Sequence, residues 1–279
     1  HVKLTDTADA VTRVLTEKEA GNDTGGAIDM IWINGANFAA MKDAGLLFGP
    51  FAEQLPNWSL VDSEGKTVQT DFTVPTEGYE SPWAMAQVVF MYDTADIAEP
   101  LTTMPEILDW AEANPGRFTY PQPPDFLGTT FLKQALVSLT QTPERLAAPV
   151  TDADYDEVTA PLWAYLEELT PVLWREGRAY PATGPAQLQL IADNEIDLAI
   201  SFSPGEATAA INNGQLPDTV RTSVLDGGTL GNASFVAIPY NSAAKEAAMV
   251  VANFLLSPEA QACAQDPAVL GYGTVLNMD

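Results

Sequence analysis

Histidine, cysteine and basic residues are scarce in this sequence. It contains one histidine, His1, one cysteine, Cys263, and 12 lysines and arginines in all. A single cysteine cannot close an intramolecular disulfide bond. A single histidine excludes histidine-based zinc sites and the Ser-His-Asp and Cys-His types of nucleophilic catalysis. Because Cys263 lies in an alanine-rich helical stretch, a structural role is favoured over a reactive thiol.

Membrane-spanning and nucleotide-binding patterns are missing as well. No run reaches the roughly 20 apolar residues that span a bilayer, since the candidate at Met249–Leu256 is interrupted by Asn253. The motifs G-x-x-x-x-G-K-[ST], G-x-G-x-x-G and G-x-S-x-G do not occur. No signal peptide is visible at the start, where His1–Thr5 is typical of a β-strand. Because both ends stop abruptly, we expect the chain to be part of a longer protein.

Acidic residues dominate the charge. The 279 residues include 38 aspartates and glutamates, which gives a formal net charge of −26. A field of this sign repels a phosphate backbone, so nucleic acid is excluded as a partner. It favours a secreted protein, because salt outside the cell screens the self-repulsion. Apolar residues make up 46% of the chain, which is enough for a packed core, and the length predicts two lobes or one large domain.

Segments of strand length alternate with segments of helical periodicity along the chain. Two helix starts are predicted from capping boxes, Thr103 with Glu106 and Ser203 with Glu206. The alternation predicts an α/β protein with mostly parallel sheets. Strands are predicted at residues 28–33, 68–74, 86–92, 118–120, 196–202, 220–225 and 234–239.

The loops beside these strands are where binding residues are expected, since ligands of open α/β sheets lie outside the strand ends. Amide, hydroxyl and aromatic side chains recur there, a mixture that suits a small organic ligand held by stacking and directed hydrogen bonds. The candidate ligand-binding residues are Trp32, Asn34, Asn37, Tyr79, Glu80, Ser81, Trp83, Asp125, Phe126, Thr129, Ser203, Asn232 and Ser234.

Each candidate also has a structural interpretation. A tryptophan at a strand end, such as Trp32, is more often a core residue than a ligand platform. Asn37, Thr129 and Ser203 are each explained as helix caps, with Thr130 as an alternative to Thr129. What favours function is that several such loops share the same end of the strands.

The charge of the ligand is left open by these loops. Helix N-termini favour an anionic group. Acidic residues such as Asp29, Glu80 and Asp125, together with the aromatic candidates, favour a cation with an aromatic or quaternary nitrogen.

Two further kinds of site are weighed against solute binding. Carboxylate pairs for glycoside hydrolysis stay open, because aspartate and glutamate are plentiful. Asp152, Asp154 and Asp156 have the spacing of calcium ligands, but the EF-hand glycine and terminal glutamate are missing, so a solvated acidic loop is favoured. We expect neither a cofactor nor a metal.

Four segments carry a resemblance to a known family: residues 28–38, 75–83, 231–239 and 252–261. The sequence resembles the extracellular solute-binding proteins of ABC importers over nearly its whole length. Within them it is similar to the YnjB-like cluster, which is related to thiamine-, iron- and polyamine-binding proteins.

The resemblance implies a type II periplasmic-binding-protein fold. Two lobes, each a mixed sheet flanked by helices, would be joined by hinge strands and close on the ligand. Val88–Tyr92 would be the outgoing hinge strand and Ser234–Pro239 the returning one. Lobe I would comprise residues 1–92 with 231–279, and lobe II residues 93–230. Family members normally carry a signal peptide, a first strand and helix, and further C-terminal residues, all of which are missing here.

The resemblance also implies a function without catalysis. The leading hypothesis is a monomeric periplasmic component of an ABC importer that captures a small organic ligand between the lobes and delivers it to permease membrane subunits. A thiamine-like cation, a polyamine or an unrelated polar metabolite would suit the loops. The alternatives are a carboxylate-dependent hydrolase on a two-lobed α/β scaffold and a structural or adhesive protein without a ligand.

Overall fold

The computed structural model describes residues 7–147 and 151–277. His1 and the strand expected at His1–Thr5 lie outside the described residues. The chain forms two compact units. The first comprises the described residues up to Ala86 and from Asn232 onward, and the second is Gln87–Gly231. The predicted lobe boundaries lie at 92/93 and 230/231, so residues 87–92, which were assigned to the first lobe, fall in the second unit. The hinge role of the strands stays a prediction.

Helices and strands alternate along the described chain. The α-helices are α1 Thr7–Glu19, α2 Ala36–Asp43, α3 Met104–Ala113, α4 Phe126–Leu139, α5 Asp152–Leu169, α6 Gly184–Ala192, α7 Glu206–Asn212, α8 Lys245–Leu255 and α9 Pro258–Gln265. The strands are β1 Ile31–Ile33, β2 Thr70–Asp71, β3 Val74–Pro75, β4 Glu80–Gln87, β5 Val89–Asp93, β6 Leu198–Ser201, β7 Val220–Ser223 and β8 Gly231–Ala237. Short 3₁₀ helices lie at Ala52–Gln54, Pro56–Leu60, Pro143–Ala147, Thr170–Val172 and Trp174–Gly177.

The first unit is organised around a three-stranded sheet in the order β1-β8-β4. β1 and β8 run antiparallel, with Trp32 opposite Val236. Successive side chains of a strand point to opposite faces, so Ile31 and Ile33 are buried while Trp32 is exposed. The two isoleucines pack against Phe38 of α2 in an apolar cluster.

The second unit has a three-stranded sheet in the order β6-β5-β7, and β5 is antiparallel to both neighbours. A parallel bridge joins Phe118 to Leu198 of β6, so the pairing around this sheet is mixed. The α/β class is confirmed, but the expectation of mostly parallel sheets is wrong for the strand pairs described. Helices α3 to α6 separate β5 from β6 along the chain, and a connection of that length can bring the next strand back in either direction, so the alternation of strands and helices does not by itself set parallel pairing.

One of the two predicted capping boxes is confirmed. Thr103 accepts a hydrogen bond from the backbone N–H of Glu106, and the Glu106 side chain returns to Thr103, as predicted for α3. The second capping box is wrong. Gly205 is the N-cap of α7, and the Glu206 carboxylate accepts from the hydroxyl of Ser201 instead of reaching Ser203.

The predicted start of α4 is also wrong, by one turn. The N-cap is Asp125, whose carboxylate accepts from the backbone N–H of Leu127 at 2.9 Å, while Thr129 and Thr130 lie inside the helix. An aspartate binds the free N–H groups of a first turn at least as well as threonine does. Asn37 likewise lies inside α2, whose N-cap is Gly35.

Two segments take a different form from the predicted one. The strand predicted at 68–74 is a hairpin of β2 and β3, whose turn holds Phe72 in the left-handed region at φ 51°. Glu80, Ser81 and Trp83, expected in a loop beside the strand predicted at 86–92, lie with Pro82 in β4. Proline is tolerated there because β4 is an edge strand of its sheet.

Candidate ligand-binding site

Three aromatic side chains of the first unit form what we call the aromatic corner: Trp32, Trp83 and Tyr272. The Trp32 and Trp83 ring centroids are 5.0 Å apart, those of Trp83 and Tyr272 5.7 Å, and those of Trp32 and Tyr272 6.4 Å. The interplanar angles are 84°, 82° and 87°, so the three rings are almost mutually perpendicular. The three rings therefore pack edge to face against one another.

Trp83 and Trp32 differ in their exposure to solvent. Trp83 is 8% exposed and packs with Val236 in an apolar cluster, whereas Trp32 is 49% exposed. The buried indole N–H of Trp83 has no hydrogen-bond partner. An exposed tryptophan face attracts cations through the ring quadrupole, and it also stacks on flat ligands.

A second group of candidates meets at Asp71, a completely buried carboxylate on β2. It accepts hydrogen bonds from the side-chain amides of Asn34, at 3.2 Å, and Asn232, at 2.7 Å, and from the backbone N–H of Gly35. The Asn232 amide oxygen in turn accepts from the backbone N–H of Phe72 at 2.8 Å. The structure thus brings the candidates Asn34 and Asn232 together. Both amides donate to the Asp71 carboxylate, so their described contacts are structural.

Glu80 is the candidate with the most unusual environment. It is 1% exposed at the start of β4, and neither carboxylate oxygen has a hydrogen-bond partner. Burial, with a smaller contribution from the negative charge of Asp71, raises the pKa of Glu80 to about 10, although Lys42 acts in the opposite direction. Glu80 is therefore a neutral carboxylic acid at pH 7.

The remaining candidates of the first unit are Tyr79, Ser81, Ser234 and Asn37. The described contacts do not join them into one cluster. Tyr79 is half-buried and packs on the apolar cluster of β1 and α2. Ser81 is fully buried in β4, and Ser234 is 5% exposed in β8. Asn37 is half-buried in α2.

The second unit carries the other four candidates. Asp125 caps α4, and the next residue, Phe126, is 44% exposed. The Phe126 ring lies edge-on to Phe202, with the centroids 5.1 Å apart. Thr129 and Ser203 are half-buried. Ser203 follows β6, and its backbone N–H donates to Ser201 at 3.0 Å.

A groove of about 870 Å³ lies in the first unit, between α1, the segment before β1 and α8. Its size is within the range of small-molecule pockets. Small and apolar side chains dominate its walls, and Trp32 is the one predicted candidate among them. The charged residues in the walls are Arg13 and Asp29, and Asp29 accepts from the Ser242 hydroxyl at 2.7 Å.

Three residues of these clusters were not predicted: Tyr272, Asp71 and Phe202. Tyr272 lies between Gly271 and Gly273, which lack the third glycine of the motif G-x-G-x-x-G, and no other local signal marks it. Asp71 falls within the strand predicted at 68–74, and its neighbours Thr70 and Phe72 give no local signal for a buried network. Phe202 ends an apolar strand, and nothing local distinguishes it from a core residue.

Within residues 7–147 and 151–277, no group of three or more histidine, cysteine, aspartate or glutamate side chains could hold a metal ion. Asp154, one of the three aspartates weighed as calcium ligands, pairs with Arg145 at 3.0 Å. The side chain of Asp152 lies outside the described part. None of the described helices has the length and apolar character needed to cross a bilayer.

Comparison with known proteins gives consistent matches over the whole chain. The family described as bacterial extracellular solute-binding protein matches residues 1–277. The protein YnjB of Escherichia coli (strain K12) is 46% identical over 276 residues, which are 99% of this chain and 71% of that protein.

Solved structures share the fold at low sequence identity. The periplasmic binding protein AfuA from Actinobacillus pleuropneumoniae, with exogenous fructose-6-phosphate bound, matches with a TM-score of 0.68 and 15% identity, covering 97% of this chain and 74% of that one. A periplasmic thiamin binding protein matches with a TM-score of 0.66 and 15% identity, covering 96% of this chain and 72% of that one. The periplasmic-binding-protein fold implied by the sequence segments is therefore confirmed.

These matches also decide the class of activity. Proteins of this family are transport components that bind small solutes and interact with permeases, and they are not enzymes. The resemblance inferred from the sequence is confirmed, and nothing in the comparisons supports a hydrolase. The chain belongs to the family of bacterial extracellular solute-binding proteins of ABC transporters.

Proposed function

We propose that this protein works in the periplasm as a monomer, captures a small organic cation and delivers it unchanged to the permease of an ABC importer. The observation that carries the cationic ligand is the aromatic corner, in which the half-exposed face of Trp32 is held by Trp83 and Tyr272. The net charge of −26 supports the same sign of ligand, because it raises the local concentration of cations.

The fold by itself does not select the charge of the ligand. One protein with this fold binds the anion fructose-6-phosphate, and another is described as a thiamin binding protein. The proposal therefore rests on the residues of this chain. An anion at the aromatic corner would meet the negative faces of the rings, which repel it.

Within the class of cations, the corner favours a flat or quaternary group over an extended polyamine. Perpendicular rings can stack on an aromatic ligand and surround a methylated nitrogen at the same time. A polyamine needs several carboxylates spaced along its chain. A thiamine-like ligand, which combines an aromatic ring with a quaternary nitrogen, is accordingly the first compound to test.

The experiment is a binding screen followed by chemical recovery of the ligand. The tryptophan fluorescence of the purified protein is titrated with thiamine, choline, spermidine and fructose-6-phosphate, and the bound compound is then released by denaturation and identified by mass spectrometry. We expect thiamine or choline to change the fluorescence and to be recovered intact. Binding of the sugar phosphate alone would overturn the cationic ligand, and recovery of a cleaved product would overturn transport without chemistry.

The contribution of the second unit is tested separately. Phe126 is exposed at the start of α4, where an aromatic ring can contact a flat ligand. We expect Phe126→Ala to weaken binding of the compound found in the screen. A matched control is Val137→Ala, because Val137 is also exposed on α4, at 38%. Equal affinity of the two variants would remove Phe126 from the candidate site.

A further inference from the structure

The starting observation is a buried carboxyl group without partners. Glu80 is 1% exposed, and neither of its oxygens accepts or donates a hydrogen bond. An ionised carboxylate in such a place would lose its hydration and gain nothing in return, which is among the most costly arrangements in a protein. The raised pKa of Glu80 agrees with a neutral acid.

The charged groups that act on Glu80 come from two elements, β2 and α2. Asp71 of β2 accepts hydrogen bonds from three donors, and its negative charge opposes a second one nearby. Lys42 of α2 is occupied by other partners: its ammonium group pairs with Glu77 at 2.9 Å and donates to the carbonyl of Pro75 at 2.6 Å. Neither group supplies Glu80 with a counter-ion.

A structural role for this acid is hard to justify. A methionine would fill the space without adding a polar group that burial penalises. The cost is offset only if Glu80 gains a partner in another state of the protein, and a ligand is the remaining source of positive charge. Asp71, which acts on Glu80, accepts a hydrogen bond from Asn34, two residues after Trp32 of the aromatic corner, so Glu80 lies near the end of β1.

We infer that Glu80 is the proton-exchanging counter-ion of the ligand: it is a neutral acid when the protein is empty, and it gives up its proton when a cationic group binds. This inference rests on the proposed function. The exchange is balanced, because the O–H bond of the Glu80 carboxyl breaks, its proton leaves to solvent, and the carboxylate that remains pairs with the positive charge of the ligand. One proton is released for each cation captured.

The exchange has a definite signature in the pH dependence of binding. For a ligand whose own charge is permanent, the affinity must rise about tenfold for each pH unit, as long as Glu80 is neutral in the empty protein and ionised in the complex. Choline and thiamine carry quaternary nitrogens, so their positive charge does not titrate. A site that keeps Glu80 neutral and uses it only as a hydrogen-bond donor would show no such slope.

The experiment measures affinity and proton release together. Choline and thiamine are titrated calorimetrically into the wild-type protein in phosphate at about pH 6, 7 and 8. At about pH 7.5 the titration is repeated in Tris, because the different ionisation enthalpies of the two buffers report the number of protons exchanged. We expect a release of about one proton and a gain of about tenfold in affinity per pH unit. Glu80→Gln, which copies the neutral acid but cannot ionise, should release no proton and bind with one affinity throughout.

The matched control is Glu64→Gln, which removes an exposed acid of the same unit and should show the proton release and the pH dependence of the wild type. Binding without proton release would overturn the exchange but leave the cationic ligand standing. A slope that persists in Glu80→Gln would overturn the assignment to Glu80. Failure of both compounds to bind would overturn the proposed function and this inference together. The wild-type measurement is decisive even if Glu80→Gln does not fold.

Discussion

Replacing Glu80 by glutamine should change how the stability of the first unit depends on pH. The carboxyl group has an ordinary pKa of 4.5 in an unfolded chain and a pKa of about 10 in the folded protein. Between these values the folded state keeps a proton that the unfolded state gives up. The stabilising effect of the neutral acid is therefore complete below about pH 4.5 and is lost as the pH rises toward 10.

The size of the effect follows from proton linkage. One proton held only by the folded state lowers the free energy of unfolding by about 1.4 kcal/mol for each pH unit. From about pH 5.5 to about pH 8.5 the wild type should therefore lose about 4 kcal/mol relative to Glu80→Gln, whose amide does not titrate. The difference between the two proteins should grow steadily over this range, whatever the cost of the amide itself.

Urea unfolding followed by tryptophan fluorescence measures this difference. Each unit contains three tryptophans, so both transitions are visible: Trp32, Trp58 and Trp83 in the first unit, and Trp110, Trp163 and Trp174 in the second. Only the transition of the first unit should diverge, and the exposed control Glu64→Gln should follow the wild type. Parallel pH profiles for the wild type and Glu80→Gln would refute the assignment of a neutral, unpaired acid.

Three further changes test the site and its support. Trp32→Ala should weaken ligand binding by about 1–3 kcal/mol, whereas Trp163→Ala, at an equally exposed ring (46%) of the second unit, should not; equal losses would contradict a role for the aromatic corner. Asp71→Ala removes the acceptor of three hydrogen bonds, although the Asn34 and Asn232 amides keep their bonds to the Ala233 carbonyl, and should destabilise the first unit by about 2–4 kcal/mol in urea; a change below about 1 kcal/mol would contradict the network. Arg117→Ala leaves the carboxylate of Asp197, 4% exposed, without its ion pair and should cost the second unit about 3–5 kcal/mol; destabilisation of the first unit instead would count against this interpretation.

The sequence was sufficient for the fold class because its evidence is local and repeated. Apolar segments and capping residues such as Thr103 act within one turn or one strand, so they are visible in a single sequence. The errors arise where two local signals compete. Asp125 and Thr129 can both cap a helix, and only the folded chain shows which one meets the free N–H groups. Pro82 signals a loop unless the strand lies at an edge, which depends on the sheet order.

The candidate site was predictable only in part, for a different reason. Trp32 and Trp83 were identified because each is an aromatic ring beside a strand end, but their contact with Tyr272 joins opposite ends of the chain. The same holds for Asp71, whose partners Asn34 and Asn232 lie far apart in sequence. Such long-range contacts are set by tertiary packing. The neutral state of Glu80 depends on the same packing, because burial away from water raises its pKa and the local sequence does not show that burial.

The central claim, that this protein captures a small organic cation without changing it, is tested most directly by identifying what the protein holds. The protein is purified without denaturation, its bound small molecules are released, and their masses and charges are determined by mass spectrometry. We expect a stoichiometric cationic compound, with an aromatic or quaternary nitrogen, that rebinds unchanged. A neutral or anionic compound at the same stoichiometry, or a compound that is cleaved on rebinding, would contradict it.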